Sequence, residues 1–556
     1  MKKAICIILT LLLVIASLAA CGNTAGNDQT SDPTENSKTE SAAETNAEEI
    51  IGESTADSEA VENPASGSET SGLDSTQPGD NPSNEGTGDP GGTPPDGGAG
   101  GPGGTPPDGG AGGPGGTPPD GGAGGPGDTP PDGGAGGPGG TPPDGGAGGP
   151  GGSSADISYT GAEEVTASDA QDGMTYSSST SDESALLIST SEDVVIDNGV
   201  VEKTGDSDGG DNCNFYGLNA AVLVKGGTNT TIEGATVTSD ASGANGVFCY
   251  GGNGGHNGAD GDGTTLTIRN SQITTTGDGS GGIMTTGGGV TYAYDLEVET
   301  SGRSSAAIRT DRGGGTVFAD GGTYTSNGLG SPAIYSTADI TVENATLVSN
   351  LSEGVCIEGK NSITLNNCDL TANNTQCNGH ATFYDTIMIY QSMSGDADSG
   401  TSSFTMNGGR LERKNGHMFH VTNTNAVINL TEVTLVNDDV DNVLLSVCSD
   451  GWSGAGNIAA LNAELQTLEG TILVGSDSEL TLKLTDSSSF EGCFSGEITN
   501  AKGNTVSGEI GTVAVILDDT STWTLTADCY ISSFEGNPEN VITGGYTLYV
   551  NGTPLA

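Results

Sequence analysis

The chain has 556 residues, with 73 Asp and Glu against 15 Lys and Arg for a formal charge of −58, and it carries 95 glycines but only 4% aromatic residues. So acidic a chain has no basic footprint with which to neutralise phosphates, which excludes nucleic acid as a partner and leaves cations or an anion-tolerant surface as its neighbours. Rich in glycine and poor in aromatics, it does not read as one compact globular enzyme; it reads as part low-complexity chain and part repeat.

Residues 1–20 read as an export signal. Lys2 and Lys3 form the charged start, and the apolar run Ile5 to Ile15 is too short to span a bilayer. The run ends in Leu18-Ala-Ala-Cys21 followed by Gly22, which resembles the bacterial lipobox. That resemblance implies cleavage before Cys21, lipid on its sulfur and new amino group, and an N-terminal membrane anchor. Residues 21–152 then form a tether expected to be disordered. Its first part, through Asn84, is Ser-, Thr-, Glu- and Ala-rich, with only Lys38 as a base. It cannot bury enough apolar surface to offset its ordering entropy. From Gly91 to Pro150 come five copies of a 12-residue Gly-Gly-Thr-Pro-Pro-Asp-Gly-Gly-Ala-Gly-Gly-Pro unit, the fourth with Asp128 for Gly. The Pro-Pro-Asp triplet breaks the every-third-glycine rule of collagen, so the segment is a flexible spacer. As a coil it spans about 60 Å, and drawn straight it exceeds about 400 Å. Such reach suits a domain lifted through a Gram-positive envelope on the extracellular face of the cell membrane.

Residues 153–500 carry the repeat. Val317 to Tyr324, Ile340 to Leu347 and Ile363 to Leu370 are eight-residue segments with apolar ends, and consecutive copies start 23 residues apart. A second short β pattern precedes each copy, at Ala306 to Arg309, Ala333 to Tyr335 and Val355 to Glu358. A unit of this size cannot bury its apolar side alone and must stack on its neighbours. The β-branched letters and the Asn, Gly and Asp punctuation point to strands and tight turns. The fold class is therefore all-β, a parallel β-helix. Val194 to Asp197 is the expected first full rung, and rungs continue through Thr231 to Val237, Leu266 to Ile273, Phe404 to Leu411 and Val427 to Leu435. Spacing opens at Gly251 to Gly263 and at Asn373 to Gly400, insertions expected as loops on one face. Past Asn442 the rungs become irregular, and residues 501–556 are expected to cap the solenoid end.

Phe215-Tyr-Gly-Leu-Asn-Ala-Ala-Val222, Thr310-Asp-Arg-Gly-Gly-Gly315, Ile389-Tyr-Gln-Ser-Met-Ser-Gly-Asp396 and Thr522-Trp-Thr-Leu-Thr-Ala-Asp528 resemble secreted bacterial proteins with a pectin-lyase-like right-handed parallel β-helix. The resemblance covers about residues 174–556. It implies a single-stranded, right-handed solenoid and an adhesin-like or carbohydrate-associated role.

Ile308, Ile334, Ile357 and Ile389 are expected to share one interior position, which turns Arg309, Tyr335, Glu358 and Tyr390 outward as a ladder. A strip of two Tyr rings, an Arg and a carboxylate suits a polysaccharide. Asp206, Asp208 and Asp211, and Asp260 with Asp262, lie in Gly-rich loops of the kind Ca²⁺ favours, though neither group completes an EF-hand. The pectin-lyase resemblance also implies an enzyme reading, a lyase acting on acidic glycans through Arg309, Asp311 and Arg312. The alternative hydrolase reading has Asp438-Asp439 but lacks the Gly-His-Gly and Arg-Ile-Lys motifs of that family. His417 and His420 flank Met418-Phe419 without a neighbouring acid cluster in sequence, and Trp452 reads as a loop residue able to stack on a sugar. Eight cysteines remain after Cys6 and Cys21, widely spread, and read as free thiols filling the interior. No cofactor is required beyond the calcium considered above. The chain is expected to be a surface-bound monomer that binds polysaccharide or another cell-surface ligand, with a structural envelope role as a third reading.

Overall fold

The computed structural model describes residues 157–254, 260–452 and 456–555. Cys21 and the 21–152 tether lie outside them. Among the described residues the strands form three long sheets of 15, 14 and 10 strands, each visited once per coil. The first runs from Thr160–Val165 to Val541–Ile542, the second from Asp169–Asp172 to Ser533–Glu535, and the third from Thr175–Ser178 to Thr434–Asn437. Neighbouring strands within them are parallel. The chain is a parallel β-helix.

The 23-residue step is one coil. Val317 pairs with Ile340 and Ile340 with Ile363 in the second sheet. Tyr324 pairs with Leu347 and Leu347 with Leu370 in the third. Alternation decides the faces: Ile340 and Val342 are buried in the solenoid interior, whereas Asp339, Thr341 and Glu343 face out. Each interior Ile or Leu adds about 1.5–3 kcal/mol of burial, and one continuous core runs from Val165 to Leu548.

The corner between the second and third sheets recurs with one backbone geometry. In every coil that has a third-sheet strand, the residue just after the second-sheet strand has a left-handed φ: Gly173 (65°), Asn198 (52°), Gly234 (65°), Asn270 (46°), Asp295 (49°), Gly321 (73°), Asn344 (53°), Asn367 (52°), Gly408 (66°) and Glu432 (55°). Asn, Asp and Gly tolerate that conformation where a β-branched side chain does not. This is the punctuation read in the sequence, now with its cause.

Over its middle rungs, from Val222–Lys225 to Val443–Val447, the first sheet differs from the other two in being covered on both faces. Val247–Tyr250, Val355–Glu358 and Asp385–Tyr390 are buried at every residue. The cover is built from insertions. The short helix Asp211–Tyr216 lays Phe215 and Tyr216 on Leu187, Leu223, Phe248, Tyr250 and Met284. Trp452 closes over Tyr335, Cys356, Met388 and Tyr390. Phe383, from the loop expected to emerge at 373–400, packs with Val443, Cys448, Leu473 and Ile498.

Two boundaries move. Strands begin at Thr160, a full coil before the rung at Val194. At the other end the first and second sheets run on past residue 500, to Ile542 and Glu535, so the 501–556 segment is largely more solenoid. Only Cys529–Ile531, Leu548–Val550 and Thr553–Pro554 form a separate three-stranded end sheet. The irregular spacing past Asn442 arises because the third sheet stops at Asn437 and later coils use eight-residue second-sheet strands, Asn457–Glu464 and Ser478–Thr485, instead.

The corner geometry is testable at Asn367, whose exposed side chain makes no hydrogen bond among the described residues that a replacement would need to restore. Asn367→Val is expected to destabilise the solenoid by about 1–2 kcal/mol, whereas Asn367→Gly stays near the parent. Urea unfolding followed by circular dichroism separates them, and equal midpoints for the two variants would refute the assignment.

Candidate functional site

The outer face of the first sheet gathers most of the residues singled out from sequence, but not as a solvated strip. Ile308 pairs with Ile334 and Arg309 with Tyr335. The next rung shifts: Ile334 meets Val355, Tyr335 meets Cys356, and Ile357 lies opposite Ser336. Ile357 and Glu358 then pair with Ile389 and Tyr390. The expected single ladder is therefore two ladders offset by two residues. Equal spacing to the following strand misled the alignment, because the turn Glu358–Asn361 is longer than Thr337–Ala338 while the loop before Val355 is correspondingly shorter. An offset of two preserves parity, so Arg309, Tyr335, Glu358 and Tyr390 still share one face.

The offset brings their ends together. Tyr335 donates to Glu358 Oε2 at 2.5 Å and Tyr390 donates to the same oxygen at 3.1 Å. Ser392 donates to Oε1. The Arg309 guanidinium lies 5.4 Å from the Tyr335 ring centroid and meets Asp311 Oδ2 at 2.5 Å. All of this is roofed: Arg309 and Tyr335 are 5% exposed, Glu358 2% and Tyr390 0%. The face expected to be solvated is interior. Burial pushes the Glu358 carboxyl above its usual range against the hydrogen bonds from Ser392 and Tyr335. Burial likewise raises Asp311 to about 6, with Arg309 opposing it.

The lyase triplet divides. Arg309 and Asp311 form a buried ion pair, whereas Arg312 turns the other way to Asp396 at 2.5 Å and lies 4.2 Å over the Phe215 ring. Asp211, at the start of the short helix, sits near enough to feel both Arg312 and Asp396, and burial raises its pKa. The calcium candidates are not assembled. Asp206 accepts from the Ser242 N–H at 2.7 Å, and Asp262 holds Thr264 through its N–H and hydroxyl. Asp260 is exposed, and Asp208 belongs to the turn before the helix. Among the described residues no group of three or more His, Cys, Asp and Glu is placed to hold a metal. Asp438 pairs with Lys414 at 2.7 Å and Asp439 accepts from Gly416 N at 3.0 Å. Trp452 is 5% exposed and packs tilted against Tyr390 with ring centroids 4.8 Å apart, so it is a roof beam rather than a sugar platform.

Two assemblies escaped the sequence reading. The first lies under the roof. The carboxyl of Asp385 is 0% exposed, and neither of its oxygens has a hydrogen-bond partner among the described residues. Burial drives its pKa well above the usual carboxylate value, with Glu353 and Asp450 adding repulsion. Beside it, Ser446 Oγ bridges His420 Nδ1 at 2.7 Å and His417 Nδ1 at 2.8 Å. His420 Nε2 lies 3.5 Å from Asp450 Oδ2. Burial works to raise Asp450, but His420, Thr382 and the Gly451 N–H together hold it low. Burial depresses His417 to about 3, helped by His420 and Arg413. The acids absent around His417 in sequence arrive from Glu353, Asp385 and Asp450, which lie on other rungs.

The second is on the open outer face of the second sheet. Thr267, Tyr292, Phe318 and Thr341 stand in one row, and Arg269, Tyr294 and Asp320 in the next. Tyr292 and Tyr294 lie 6.4 and 6.2 Å from the Phe318 ring, and the Arg269 guanidinium lies 4.9 Å over Tyr294. Tyr292 is 38% exposed. The signal was legible: Tyr292-Ala-Tyr294 and Phe318-Ala-Asp320 alternate large outward residues with a small inward one, a strand pattern with its aromatic side on the wrong face for a core. No family model, curated protein or solved structure matches the chain.

Asp385 supplies a test with a definite sign. Its folded pKa is raised above the unfolded value near 3.8. The stability it contributes is full below that value and is lost as pH rises toward the folded pKa, because the unfolded carboxyl ionises first. Asp385→Asn keeps the neutral shape, so its melting temperature is expected to fall less than the parent's between pH 5 and pH 8 and to exceed the parent's at pH 8. Calorimetric melting temperatures across that range decide it, and parallel curves would remove Asp385 from the account.

Proposed function

We propose that this chain is a lipid-anchored cell-surface protein whose β-helix binds polysaccharide. The supporting observation is the Tyr292–Phe318–Tyr294 group with Arg269 on the outer face of the second sheet, a three-ring cluster on a face that the roof leaves open. Flat rings stack on the apolar faces of sugars, and neighbouring hydroxyls and a guanidinium bond to sugar hydroxyls. The row containing Tyr292 and Phe318 continues through Thr231, Thr267, Thr341, Thr364 and Thr405. At about 4.8 Å per rung, that row offers a polar track the length of several sugar units. Carboxylates flank it at Glu233, Asp320 and Glu343. Together with the net charge of −58, they favour a neutral or amino-sugar polymer over a polyuronate.

The four residues Arg309, Tyr335, Glu358 and Tyr390 then serve to tie the roof to the first sheet. The lyase alternative is less well supported, since a general base must touch its substrate and Arg309 is locked to Asp311 beneath the roof. On this reading Cys21 carries the lipid and the 21–152 tether sets the distance from the membrane.

Retardation of the whole chain in gels containing neutral, amino-sugar and uronate polysaccharides tests the reading. Tyr292→Ala with Phe318→Ala is expected to weaken retention roughly ten-fold or more, as loss of stacking groups worth about 1–3 kcal/mol together would. Unaltered retention would move the site elsewhere. Tyr335→Phe is expected to leave retention unchanged while lowering stability by about 1–3 kcal/mol, and the opposite pattern would restore the first-sheet strip as the binding surface.

A further inference from the structure

The eight cysteines among the described residues are all free thiols, and six of them stand apart from one another. Cys213 contacts Ser207, while Cys249, Cys368 and Cys377 point at the carbonyls of Val290, Val342 and Phe383. Cys356 and Cys448 belong to two separate roof clusters. Cys493 and Cys529 are different. Strand Ser489–Ser495 packs beside Cys529–Ile531, the first strand of the three-stranded end sheet. Cys529 is part of the continuous core and Cys493 packs against that core from a half-buried position. The Cys529 thiol donates to the Ala527 carbonyl at 3.4 Å, and it lies close enough to Cys493 for each thiol to shift the other's ionisation.

We propose that Cys493 and Cys529 form an oxidation site, a dithiol that closes to a disulfide and locks the terminal sheet onto the last coils. The bridge would enclose the hairpin Glu497–Thr499/Thr505–Gly508 and the strands Thr512–Leu517 and Thr522–Leu525. The last two are the penultimate strands of the second and first sheets, next to the ends where fraying would expose unpaired strand edges.

The chemistry is thiol–disulfide exchange with a small disulfide of a monothiol, such as oxidised glutathione. The Cys493 thiolate attacks one donor sulfur, forming a mixed disulfide and expelling one donor thiolate. Cys529 then loses its proton and attacks Cys493 Sγ, expelling the second. Two S–H bonds become one S–S bond, and the two electrons and two protons leave on the two donor thiols. The roles follow from the surroundings. The neighbouring Cys529 thiol, with Thr526 and Thr471, brings Cys493 down to about 6 against its burial. Cys529 is raised by its Cys493 neighbour and by burial. Cys493 is therefore the accessible nucleophile and Cys529 the resolving thiol.

The whole chain, reduced and then held folded in oxidised glutathione, is acid-quenched, unfolded, alkylated and mapped by peptide mass spectrometry. The expected result is a Cys493–Cys529 linkage, two fewer alkylatable thiols than in the reduced protein, and slower proteolysis of the C-terminal coils. Cys493→Ser and Cys529→Ser each abolish the linkage, while Cys377→Ser, at the other half-buried thiol, leaves it intact. Glutathione remaining on Cys493 with Cys529 still alkylatable would overturn the proposal. So would no loss of thiols, or Cys529 bridged to a different cysteine. The linkage is read on the unmutated chain, so a variant that fails to fold leaves the decision standing.

Discussion

The parallel register between coils is the constraint from which the rest follows. Once Val317, Ile340 and Ile363 are stacked by backbone hydrogen bonds, every other position of the coil must return to the same place one rung later. Interior positions must be apolar, because they form one column with no access to water. The corner after the second sheet must accept a left-handed residue in coil after coil, since a corner with another geometry would displace the third strand from its partner. Repetition in the sequence is thus a consequence of repetition in hydrogen bonding.

The same constraint explains why the two faces of the solenoid differ. Inside, side chains have no freedom of size. Outside, a row can be polar, aromatic or covered, and the three sheets take different options. The third sheet is a modest polar surface. The second stays open and carries rows of Thr and Asn interrupted by Tyr292, Tyr294 and Phe318. The first has an apolar outer row, Leu223, Phe248 and Met284, which would be a large exposed patch without a cover. The insertions supply that cover, and the polar residues that fall beneath it must satisfy one another. Glu358 does so with two tyrosines and Ser392, and Arg309 does so with Asp311. Asp385 does not among the described residues, and its raised pKa is the response, since a neutral carboxyl costs far less to bury than an ionised one.

Legibility in the sequence followed the range of the interaction. The rung pattern from Val317 to Leu370 could be aligned by eye because alternation and a 23-residue period are local properties. Parity was legible for the same reason, so the outward assignment of Arg309, Tyr335, Glu358 and Tyr390 holds. Their register was not, because two loop lengths changed in compensating directions around Val355 and left the total period unaltered. Nor was the company of His417 and His420: Asp385 lies one rung away and Asp450 comes from the next coil's turn, and sequence distance conceals both.

Composition and periodicity by themselves determined a β-solenoid of stacked coils and the Asn and Gly corners, because each depends on neighbours along the chain or on one fixed period. The tertiary structure alone decided which sheet faces solvent. That outcome rests on where the short helix Asp211–Tyr216, Phe383 and Trp452 come down, and these residues belong to irregular segments outside the repeat. A side chain that alternation places outside is exposed only if nothing folds over it, and folding over is a contact between distant segments that no local pattern records.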